Sequence, residues 1–181
     1  YIIYGKVSCG SRLPLKVKQE KGPIMTKKIY IKEAVCIGCH LCHVYCQQHR
    51  SQSKDLIKAF KKEPFPPVSS VRMEEKGPVA FSVRCQQCED SPCVSACLTG
   101  ALSRDGESGL VDVDLERCVG CWTCMLVCPF GAIKRDSRQS KMVKCDLCQG
   151  EDEPVCVVNC PNEALICAES DGSPDDSEGK G

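Results

Sequence analysis

Cysteine is the side chain whose type and spacing give this chain its chemistry. Eighteen are present, and sixteen fall into four sets of four. The first set is Cys36, Cys39, Cys42 and Cys46; the second is Cys85, Cys88, Cys93 and Cys97. The third is Cys118, Cys121, Cys124 and Cys128; the fourth is Cys145, Cys148, Cys156 and Cys160. Three close cysteines on a looping segment can wrap one iron–sulfur cube, with the backbone amides turned toward its sulfides. The fourth follows after three intervening residues, in a short helical turn, so it points away and can ligate a different cube. The third set, closed by Pro129, matches the run found in bacterial two-cluster ferredoxins. Pro161 closes the fourth set in the same way, fixing φ and directing the chain out of the site. Gln47 and Leu98 stand in that place in the other two sets, which leaves those exits less constrained.

A single Cys-x2-Cys pair would be a weak signal, common to zinc ribbons and redox motifs. Zinc sites usually join two distant Cys-x2-Cys arms, whereas here four cysteines crowd into one eleven-residue loop. The expectation is therefore four [4Fe–4S] clusters with all sixteen cysteines as ligands. A zinc-dependent interaction module is the alternative from another class. His40, His43 and His49 surround the first set, but each set already has four cysteines, so they read as polar neighbours rather than ligands. Cys9 and Cys167 are left over, as a free thiol and a packed apolar side chain. Trp122 reads as a packing residue. Gly38 and Gly120 are expected to let the backbone approach a cube, and Gly131 to turn the chain into the next strand.

The rest of the composition bounds the function. Basic and acidic residues number 24 each, so no broad positive field is available for nucleic acid. No signal-peptide pattern and no apolar run long enough to cross a bilayer stand out. A cytoplasmic address, where thiols stay reduced, is expected. Apolar residues make up 42% of the chain only with cysteine included, and aromatics 5%. That leaves a thin conventional core, with bound metal as the added source of stability. No acid–base constellation appears, so no catalytic residue is assigned and the chain is not read as an enzyme.

Short elements must position these sets. Residues 28–33 (KIYIKE) alternate like a strand, and EALICAE near the end is a candidate partner. SKDLIKAFKKE predicts a helix with Ser53 as N-cap and Leu56, Ile57 and Phe60 on one face. Its other face carries Lys54, Lys58, Lys61 and Lys62, either a solvated face or a docking surface for an acidic partner. PFPP at 64–67 ends it. VSSVRM and VAFSVR predict a hairpin, residues 102–113 a second around DGESG, and AIKR with KMVK a third. A short strand is possible at residues 1–4. The boundaries expected are an N-terminal extension over 1–27, read as a tail or a docking arm, a four-cluster domain over 28–168 with an insertion at 47–84, and an acidic, disordered tail over 169–181.

Taken together, the four sets resemble the ferredoxin-type electron-transfer subunits that accompany carbon monoxide dehydrogenase, tungsten aldehyde oxidoreductase, formate dehydrogenase, hydrogenase and dimethyl sulfoxide reductase. The resemblance covers about residues 28–168. It implies an α+β fold of two pseudo-symmetric, bacterial-ferredoxin-like modules, with small β-hairpins and short helices around four clusters. One module would come from sets 36–46 and 145–160, the other from sets 85–97 and 118–128. It also implies a nested sharing of ligands. One cube would take Cys36, Cys39, Cys42 and Cys160; its neighbour Cys145, Cys148, Cys156 and Cys46. A third would take Cys85, Cys88, Cys93 and Cys128, and the last Cys118, Cys121, Cys124 and Cys97. The implied partner is a catalytic oxidoreductase subunit holding nickel, tungsten or molybdenum, with a flavin or nicotinamide subunit as a further terminus. A freely diffusing polyferredoxin is the other possibility within this class.

Overall fold

A computed structural model of the chain describes residues 26–65 and 67–169. Most of the N-terminal extension with Cys9 and the strand at 1–4, Pro66, and the tail from Ser170 lie outside the described residues. The described residues form four separate two-stranded antiparallel sheets and five short helices. None of these helices is long and apolar enough to cross a membrane.

β1 (Lys27–Ile31) pairs with β8 (Leu165–Glu169), placing Ile29 opposite Cys167 and Ile31 opposite Leu165. Alternation in KIYIK sends Ile29 inward, where it is buried beside Leu165. Full burial of such a side chain contributes about 1.5–3 kcal/mol. Between these strands the chain runs through α1 (Leu41–His49), α2 (Leu56–Lys61) and the hairpin β2 (Arg72–Lys76)–β3 (Val79–Val83). It continues through α3 (Pro92–Ser95), the hairpin β4 (Leu102–Arg104)–β5 (Val111–Val113) and α4 (Thr123–Val127). The hairpin β6 (Lys134–Asp136)–β7 (Lys141–Val143) and α5 (Val155–Val158) complete the order. The DGESG turn is fixed by Asp105, whose carboxylate accepts from the Ser108 N–H and hydroxyl at 2.7 and 2.5 Å.

The helices pack as two nested pairs, α1 on α5 and α3 on α4. Each pair has its own apolar cluster. One gathers Ile29, Val71, Leu147 and Leu165 around Cys42, Cys46, Cys145 and Cys156. The other gathers Leu102, Val111, Ile133 and Met142 around Cys124.

α2 differs from its sequence reading. Its N-cap is Asp55, whose carboxylate accepts from the Lys58 N–H at 2.8 Å, and not Ser53. Lys54 takes a left-handed φ of 49°, so the chain is not yet helical there, and Ser53 bonds instead to Glu63. Ile57 and Phe60 are exposed, and the side turned to the body is Ala59, fully buried. Six residues give one small contact rather than an apolar stripe.

Candidate metal centres

Each third cysteine lies in the first two residues of a helix, and each fourth within the helix or just beyond it. Cys42 and Cys46 are in α1, Cys93 in α3, Cys124 in α4 and Cys156 in α5, with Cys97, Cys128 and Cys160 just past the ends of α3, α4 and α5. One helical turn thus separates the third from the fourth sulfur.

The preceding loops share a backbone device. In every set the residue before the second cysteine is left-handed: Gly38 at 64°, Gln87 at 46°, Gly120 at 69° and Leu147 at 57°. In sets one and three the residue after it is left-handed too, His40 at 61° and Trp122 at 64°, and each opens its helix without a side-chain cap. Turns of this type aim successive backbone N–H groups into a concavity that suits an anion. Sequence patterning exposed only the two glycines; Gln87, Leu147, His40 and Trp122 carry no signal for this conformation. A second reason for glycine is the neighbouring hairpin rather than a cube. A Cβ at Gly38 would meet the Ala80 Cβ at 3.0 Å, and one at Gly120 would collide with the Ser140 carbonyl oxygen.

The side chains meet in quartets drawn from different sets. Cys36, Cys39, Cys42 and Cys160 line one cavity. Cys85, Cys88, Cys93 and Cys128 line another, and Cys97, Cys118, Cys121 and Cys124 a third. Cys46, Cys145, Cys148 and Cys156 form a quartet in which every member is buried. Cys46 lies close enough to the other three to act on their thiols electrostatically. Among the described residues only Cys167 stands apart, half-buried in β8 against the Ile29 cluster.

Burial dominates the acidity of these thiols. It pushes Cys156 up to about 12 and Cys124 and Cys148 up to about 11. Cys145 is raised further by the same cause, and Cys42, Cys88 and Cys93 also rise. Crowded thiols of this kind ionise only with a compensating positive charge, which bound metal supplies. Cys121 is the contrast: the hydroxyl and N–H of Thr123 lower it, and it is exposed. The outlying sulfurs accept backbone hydrogen bonds: Cys97 from Ala101 at 3.2 Å, Cys128 from Ala132 at 3.4 Å and Cys46 from Ser70 at 3.3 Å.

The donor set fits a cluster better than a single ion. Among the described residues no three His, Cys, Asp or Glu side chains converge closely enough to hold one metal ion. Zinc would draw four sulfurs to about 2.3 Å from one point. Here each quartet of the three cavities surrounds a space instead. Two of the histidines face carboxylates instead. His40 Nε2 lies 2.6 Å from Glu75 Oε1 and His49 Nδ1 3.7 Å from Glu151 Oε1, while burial, Lys134 and His40 together lower His43. Trp122 sits under the Arg135 guanidinium, 4.8 Å from its ring centroid.

Known proteins are similar to this chain over much of its length. Residues 78–170 match the family described as the 4Fe-4S dicluster domain. YsaA of Escherichia coli K12 is 38% identical over 146 residues, covering 79% of this chain and 90% of that protein. The electron transport protein HydN of the same strain is 35% identical over 161 residues, covering 80% and 89%. A sulfite dehydrogenase subunit of Allochromatium vinosum is 33% identical over 161 residues, covering 73% and 64%.

Proposed function

This chain belongs to the 4Fe–4S dicluster family of iron–sulfur electron-transfer proteins, and from that premise we propose that it relays single electrons through four [4Fe–4S] clusters. The observation that carries the count is the partition of sixteen cysteines into four quartets, each with three sulfurs from one loop and one from another. When bound, each cluster supplies a one-electron couple whose potential follows its charge, hydrogen bonds and exposure. The residues of the chain hold and tune these couples. The cysteines fix position; Ala101, Ala132 and Ser70 direct N–H groups at outlying sulfurs; Ile29, Val71, Leu102 and Ile133 exclude water. Two complete quartets, those containing Cys85 and Cys118, lie within the matched span 78–170.

The partner we assign is a catalytic oxidoreductase subunit holding nickel, tungsten or molybdenum, of carbon monoxide dehydrogenase or tungsten aldehyde oxidoreductase type. A second redox subunit or carrier, in the cytoplasm, takes the other end. The relative named as a sulfite dehydrogenase subunit supports a role inside a larger redox enzyme. Anaerobic purification tests both levels. The protein should be brown and contain about sixteen irons with equal sulfide, and should co-elute with a catalytic subunit from its native source. A colourless zinc protein would sink the cluster assignment, and a monodisperse small iron protein would sink the subunit assignment.

A further inference from the structure

Among the described residues two cations are buried without a carboxylate to answer them. Arg84 is 1% exposed and Lys144 3% exposed. Among the described residues neither forms an ion pair with a carboxylate. Each stands immediately before the first cysteine of a set, Cys85 and Cys145. At the same place in the other two sets stand Val35 and Arg117, both exposed.

Their partners are neutral. Lys144 Nζ donates to the backbone oxygens of Val111 at 2.7 Å and Cys145 at 2.9 Å, and to Gln87 Oε1 at 3.3 Å. Gln87, itself fully buried, is held by the Val111 N–H and donates to the Cys145 oxygen at 3.1 Å, so it locks the ammonium in place. Arg84 Nη2 donates to the hydroxyl and backbone oxygen of Ser82, and its buried Nε has no partner among the described residues. Burying full charges against neutral groups alone is strongly unfavourable. The anionic atoms within electrostatic reach are sulfurs: Cys42 and Cys156 for Arg84, Cys93 for Lys144.

We propose that Arg84 and Lys144 are buried counter-charges for the clusters, each raising the reduction potential of those it faces. Arg84 serves the Cys36 and Cys145 quartets; Lys144 serves the Cys85 quartet. The proposal rests on the four-cluster reading above. Four thiolates around a [4Fe–4S] core leave a net negative charge that grows by one on reduction. A fixed cation therefore stabilises the reduced form more than the oxidised one. The Cys118 quartet has no such buried cation among the described residues, so replacing Arg84 or Lys144 should not move its couple.

The test uses the full chain, purified without oxygen, as wild type, Arg84→Met, Arg84→Lys and Lys144→Met. Iron and sulfide are assayed first, and the midpoints are then read by redox titration followed by electron paramagnetic resonance. Arg84→Met should disfavour reduction about tenfold at one or two signals, a shift of about 59 mV for a one-electron couple. Arg84→Lys should restore the wild-type position, and Lys144→Met should lower a different signal. Loss of iron from Arg84→Met but not from Arg84→Lys would equally support a requirement for charge. Fully loaded variants with unmoved midpoints would overturn the proposal, as would equal iron loss from both Arg84 variants, which would mark packing alone. A wild-type protein without iron would overturn the four-cluster reading itself, and the proposal with it.

Discussion

The Cys145 and Cys118 quartets follow the same spacing rule and end in different surroundings. Cys46, Cys145, Cys148 and Cys156 are all buried, the last only 4% exposed. In the other quartet only Cys124 is buried, Cys121 is exposed, and Leu98, Val119 and Leu126 nearby face outward at 77%, 67% and 86%. The difference comes from cover. Residues 69–71 of the insertion lie over Cys46, with the Ser70 N–H on its sulfur and Val71 in the same apolar cluster. Side-chain type is thus constant, while burial and access vary; access to water is set by segments outside the cysteine runs.

Four experiments would break or sharpen this contrast. The largest effect is expected from Cys128→Ser. Although Cys128 follows Cys124 in sequence, it lines the Cys85 cavity. Iron analysis with electron paramagnetic resonance should show loss of that site and a preserved Cys118 signal; the opposite pattern would refute the shared arrangement. Next, a chelator added to the native protein should draw iron from the Cys118 quartet about tenfold faster than from the Cys145 quartet, because local opening controls access to buried sulfur. Equal release rates would mean that cover does not protect. Third, Gly120→Ala should destabilise by about 2–4 kcal/mol in anaerobic thermal unfolding, combining a left-handed φ with a clash against a backbone carbonyl. Gly150→Ala in the fourth set, also left-handed but with open space around it, should cost only about 1 kcal/mol. Smallest is the insertion. Asp55→Ala should lose about 1 kcal/mol as a true N-cap, and Ser53→Ala less, seen as local hydrogen exchange in α2.

What the sequence disclosed was local. The hairpins around DGESG and DSRQS formed as the turn residues and alternation require. The first hairpin formed with its strand shifted to Arg72–Lys76, so that Glu74, Glu75 and Lys76 pair in the sheet and the turn is Gly77 and Pro78. The pairing of KIYIK with LICAE was also legible, since both ends of the cysteine array carried matching alternation. The features that escaped depend on distant neighbours. Spacing says that an outlying cysteine belongs elsewhere but not where. The left-handed turns at Gln87 and Leu147 are imposed by the loops around them, against the preference of both residues. Nothing in the local sequence marks Arg84 and Lys144 as buried, which they are once the chain folds. Ile57 and Phe60 suggested an inward face that so short a helix does not supply.

The nesting of α1 with α5 around α3 with α4 has a consequence for biosynthesis. A ribosome delivers the inner pair complete once residue 128 has emerged, whereas Cys42 and Cys46 must wait for Cys160 and Cys145 at the far end of the polypeptide. At about 5–20 residues per second that delay is several seconds. Through it, the thiols of the first set, made before those of the other three, are the last to be enclosed, and cellular machinery delivering iron and sulfide would meet them while they are still open.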